Sequence, residues 1–201
     1  MTKEQKIIVS VVAAVVVVGA VGYYTWRNGS FDQLLKYGSQ GGEEKIVQTP
    51  EGEMKGIEVA DGTNLITEGG KVIDVTTGKQ ADNTAAPGAP SAPQQSNPVA
   101  KKDIPASVIK ISASSAGFLP NSFEVRAGAA VSVSVTSEDG KAYVFAFRDA
   151  SLKGVAVGVG PGDPTRVISF NAPTAKGEYA YYSNIPSQAN LPGFQGKMIV
   201  K

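Results

Sequence analysis

The chain has 201 residues and a formal net charge of +1, from 19 Lys and Arg against 18 Asp and Glu. That balance leaves no basic excess to draw nucleic acid or another polyanion. Histidine and cysteine are both absent, so histidine bases and cysteine nucleophiles are excluded and an enzyme is not expected.

Residues 1–6 form a short N-terminal segment containing Lys3 and Lys6. From Ile7 to Trp26 the sequence IIVSVVAAVVVVGAVGYYTW carries no charge. At about 1.5 Å per residue it makes roughly 30 Å of helix, the thickness of a bilayer core. Tyr23, Tyr24 and Trp26, followed by Arg27, read as an interfacial belt at its far end. The alternative is a cleaved signal peptide with Lys3 and Lys6 as its charged region. The apolar run is long for that, and no clear small-x-small cleavage site precedes the aromatic belt. The expectation is a single-pass anchor in the cell membrane, with the C-terminal part outside the cytoplasm. Ser10 and Ala14 stand four apart within it, a spacing that carries little weight in a span rich in valine and alanine.

Residues 27–84 are expected to form a weakly ordered stalk, because no aromatic residue occurs between Gly38 and Gly117 to build a core. Within it, NLITEGGKVIDV (64–75) places two apolar strips around Gly69 and Gly70 and predicts a hairpin. Residues 85–104, with Pro87, Pro90, Pro93 and Pro98, read as an extended, semi-rigid linker at a domain boundary.

Ten of the aromatic residues lie between Phe118 and Phe194. Period-two alternation predicts strands at 107–113, 122–125, 130–137, 142–147, 155–159, 165–170, 178–183 and 197–200. Short strands without helical pattern between them predict an all-β Greek-key sandwich over 105–201. Alternation puts Tyr143, Phe145 and Phe147 on one face, and Tyr179, Tyr181 and Ser183 likewise. If these strands are antiparallel neighbours, Tyr143 and Ser183 meet at one rim, closed by the loop 184–195.

The stretches GFLPNSFEVRAG (117–128), DGKAYVFAF (139–147), VGPGDPTRVISFNAP (159–173) and KGEYAYYSNIPSQANLPGFQGKMIV (176–200) resemble the cupredoxins, the plastocyanin-like blue copper proteins. The resemblance covers roughly half of the chain. It implies a copper site with a histidine, a cysteine, a second histidine and a weak axial methionine. The matching positions here hold Tyr143, Ser183, Gln188 and Phe194. A blue copper centre needs a thiolate and imidazoles. A serine hydroxyl, an amide and a phenyl ring supply neither. The resemblance therefore implies the scaffold without its ligands, and no cofactor is expected.

Tyr143, Ser183 and Gln188 are expected to form a hydrogen-bonded plug, with Phe194 filling the axial side and Met198 in the core. Tyr182 or Phe194 is an alternative contact patch for a protein partner of unidentified kind. Two other readings stand beside this one. The first is electron transfer through bound copper, as in the parent family. The second is catalysis at the loop carboxylates Glu138, Asp139, Asp149 and Asp163, which sit among turn formers and read first as turn residues. Gly160 to Gly162 (GPG) is expected to be a turn rather than a phosphate loop.

Overall fold

The structure, a computed structural model, describes residues 42–50 and 52–201. The anchor expected at 7–26, with Ser10 and Ala14, lies outside the described residues. Among those described, no helix is long and apolar enough to cross a membrane.

The described chain is all-β, in three sheets. An antiparallel sheet carries β1 (Glu43–Thr49), β2 (Gly52–Glu58), β3 (Leu65–Thr67) and β4 (Val72–Ile73) in that order. The second sheet is built from β5 (Ile109–Ser114), β6 (Gly117–Leu119), β8 (Ala130–Ser137) and β11 (Thr165–Asn171), ordered β11-β8-β5-β6. The third contains β7 (Ser122–Val125), β9 (Tyr143–Phe147), β10 (Ala156–Val159), β12 (Gly177–Ser183) and β13 (Gln195–Val200), ordered β10-β9-β12-β13-β7. Parallel pairs β5/β8 and β7/β13 interrupt the antiparallel ladders, so the chain crosses repeatedly between the two sheets.

Strand parity sets the core. Ile111, Val133, Phe145, Phe170, Tyr181 and Met198 all fall in one buried cluster between the second and third sheets. Each of the eight strands expected from alternation is present within two residues of its expected bounds. The three residues of β6, and β1 and β2 upstream, carried too little periodic signal to be read.

Over the described residues, the expectations of a weakly ordered stalk and an extended linker need correction. The hairpin forms as expected, with Leu65 opposite Ile73 and Ile66 opposite Val72. It belongs, however, to a complete sheet whose Val59, Ile66 and Val72 pack on Ala130 and Val167 of the sandwich. Both faces of β8 are consequently buried. Residues 95–99 do not hang free either. They run along β11, with Ser96 N donating to Val167 O at 2.7 Å, Val99 N to Thr165 O at 3.0 Å, and Val167 N to Ser96 Oγ at 2.9 Å. The boundary placed at residue 105 is crossed by these bonds. The physical reason is that a segment too poor in bulky residues to build a core can still bury small ones against a sheet that already exists. Proline, with φ fixed in advance, loses little freedom when it docks.

Asn171 ties the layers together. Its side chain accepts from Val72 N at 2.9 Å and from Gln80 Nε2 at 3.2 Å, and donates to Gly70 O at 2.8 Å.

Candidate functional site

The site lies where β9 begins and β12 ends. These strands are antiparallel neighbours, with Tyr181 opposite Phe147 and Ser183 opposite Phe145. Tyr143 and Ser183 accordingly reach the same rim as buried residues. The loop that follows is held by its own backbone: Asn184 N donates to Val144 O (2.7 Å), Leu191 N to Gln188 O (2.9 Å) and Phe194 N to Leu191 O (3.0 Å).

Ser183 is fully buried, and its Oγ donates to Gln188 Oε1 at 2.6 Å. Phe194 is also buried, which removes it as a contact patch. Its ring stacks on Tyr143 at 5.8 Å between centroids and meets Phe118 edge-on at 5.7 Å. Aromatic contacts of both kinds add to the burial of the rings themselves. The approach is made possible by Gly117 and Gly193. A Cβ on Gly117 would lie 1.8 Å from Gly193 O, and Gly117 has φ +121°, a region open to glycine alone.

The expected three-residue plug forms only in part. Ser183 and Gln188 pair, but Tyr143 turns its hydroxyl away from them and donates to Asp139, 3.0 Å from Oδ1 and 2.9 Å from Oδ2. Asp139 also accepts from Ser115 N (3.0 Å), Ser115 Oγ (2.6 Å) and Lys141 N (3.2 Å). These bonds, those from Ser115 foremost, hold its carboxyl well below the usual range, at about 2. Burial and the neighbouring carboxylate push the Tyr143 phenol upward. Asp139 is the site residue that alternation could not find, since it sits in the turn before β9 rather than on the strand. The sequence signals for it were its place among the turn carboxylates and its four-residue separation from Tyr143.

The remaining expected residues have structural partners. Glu138 takes Lys101 (2.6 Å) and Ser112 Oγ (2.7 Å), Asp149 caps Ser151 N (2.9 Å), and Asp163 pairs with Arg166 (2.9 Å). Gly160 and Asp163 exchange backbone bonds around a turn, as expected of GPG. Met198 is buried in the core. Tyr182 is half-buried beneath Arg148, whose guanidinium lies 4.3 Å from the ring centroid while its Nη2 donates to Ala189 O of the loop. The large apolar residues exposed near the rim are Leu119 and Leu191.

No protein-family model matches the chain, nor does any curated protein. Solved structures do. An auracyanin from Roseiflexus castenholzii is 18% identical over 47% of this chain and 96% of its own, with a TM-score of 0.41. Auracyanin B is 17% identical over 54% and 97%, with a TM-score of 0.40. Amicyanin from Paracoccus versutus is 23% identical over 52% and 92%, with a TM-score of 0.39. These neighbours are cupredoxins.

Proposed function

We propose that the chain is a membrane-tethered cupredoxin-like module outside the cytoplasm, without a competent copper site and without enzymatic activity, serving as a binding or structural domain. The observation that carries this reading is the chemistry at the rim. Where a blue copper centre would need a thiolate and two imidazoles, the chain has a hydroxyl spent on an amide and a phenol spent on a carboxylate. Phe194 stacks on Tyr143 where an axial donor would belong. The residues present do not fit copper, and no redox step is derived through it.

Equilibrium dialysis of the natural chain and of a Y143H/S183C/Q188H variant against Cu(II) and Cu(I) tests the reading. The natural chain is expected to retain no stoichiometric copper. The variant is expected to bind one ion and, as Cu(II), to gain an intense visible band from its new thiolate. One copper held tightly by the natural chain would favour the electron-transfer reading instead.

A further inference from the structure

We propose that the groove between the N-terminal sheet and the segment leading into the sandwich receives a lysine or arginine side chain, presented by an extended segment of a partner protein. The groove has a volume of about 200 Å³. Its floor is aliphatic, formed by Val59, Val99, Ile104 and Val167. An apolar cavity of about 150 Å³ accommodates benzene, so this one admits the stem of a long side chain.

Around that floor stand four carboxylates, Glu43, Glu58, Asp61 and Asp103. Among the described residues one ammonium answers them, and Glu58 accepts in addition from Gly62 N at 2.9 Å. Lys45 pairs with Glu58, a residue 8% exposed, and Asp61 and Glu43 act on it as well. Among the described residues the Asp61 carboxylate otherwise accepts only the neutral amide of Asn97, at 2.7 Å, and Lys101 beside Asp103 is turned to Glu138. Among the described residues the groove thus keeps a negative excess around an apolar floor. Among the described residues, no three carboxylates are grouped to hold a metal ion. A small hydrated cation would also gain nothing from the aliphatic floor. A cation on an aliphatic stem satisfies both parts, the stem against the valines and the charge at the rim.

The neighbouring strand argues for a polypeptide rather than a free amine. Among the described residues β1 is the outer strand of its sheet, with Ile46 59% exposed. Such an edge offers backbone donors and acceptors to an added strand. Glu43, the first residue of β1, is itself part of the groove wall. A segment pairing with β1 therefore brings its side chains over the groove. The inference does not rest on the copper reading, because the groove lies against the face of β11 turned away from the main core.

Full-length, ¹⁵N-labelled chain in detergent, titrated with the peptide Ac-Val-Lys-Val-NH2, tests this. Saturable amide shifts are expected at Val59 to Asp61, Val99 and Ile104. A peptide with norleucine in place of lysine, and a D61N/D103N variant, should each weaken binding by about fivefold or more, the scale of an exposed charge pair or two. Equal binding of the norleucine peptide, or shifts spread elsewhere, would overturn the proposal. Butylammonium binding as well as the peptide would overturn the choice of a polypeptide. Absence of any saturable shift sinks it too.

Discussion

Ser183 Oγ donates to Gln188 Oε1 at 2.6 Å, joining the last residue of β12 to the middle of the loop that closes over it. The two ends differ in burial: Ser183 is inaccessible to solvent and Gln188 is half-exposed. Q188A should therefore destabilise the fold by roughly 1–3 kcal/mol, because it leaves a buried hydroxyl with no partner. S183A should cost less, about 1 kcal/mol, since water can reach the freed amide. Urea unfolding of both variants reads the order, and equal losses would mean that the hydroxyl finds another acceptor.

Asp139 gives the chain a predicted acid limb. Its folded carboxyl lies at about 2 against an ordinary 3.8, chiefly through Ser115 and then Tyr143 and Lys141. A depressed folded value means stability that is fully present above about pH 4 and lost as pH falls towards about 2. D139N should flatten the stability profile across that window, and Y143F should raise the carboxyl's titration midpoint by removing one donor. NMR titration of the Asp139 carboxyl carbon provides the check; a midpoint unmoved in Y143F would discount the phenol's role.

Asn171 is the residue whose loss should be felt across layers. N171A strands Val72 N–H and Gly70 C=O in a buried place, at a cost of roughly 2–4 kcal/mol. Hydrogen exchange should quicken in β3 and β4 before it quickens in β12. By the same logic, a chain shortened to residues 105–201 uncovers Val108, Ala130 and Val167 and should be less stable than the full chain or self-associate. Undiminished stability of the shortened chain would restore residue 105 as a true boundary.

The sandwich strands were legible because β-structure writes itself locally. Side chains alternate by two, and Tyr143, Phe145 and Phe147 or Tyr179 and Tyr181 place bulk at every second position. The same arithmetic brought Ser183 and Tyr143 to one rim. The turn acids were legible too, since Asp149 capping Ser151 N is a contact two residues long.

The N-terminal sheet was legible only in its β3/β4 hairpin. Its Ile and Val residues carry no aromatic bulk, and its order depends on a surface supplied by β8 and β11. Val72 and Asn171 are separated by 99 positions, and a bond of that range leaves no periodic trace in either neighbourhood. Nor could parity say where a phenol would point once inside: Tyr143 was placed correctly on its strand, while its hydroxyl chose Asp139 over Ser183.

By itself, then, the sequence determined which residues face the core, which groups stand at the rim, and that none of them is an imidazole or a thiolate. Those are matters of composition and of a two-residue repeat. Only the tertiary structure decided which polar groups pair and whether residues 57–104 stand apart or lie against the sandwich. Both depend on surfaces that exist only after distant strands have met.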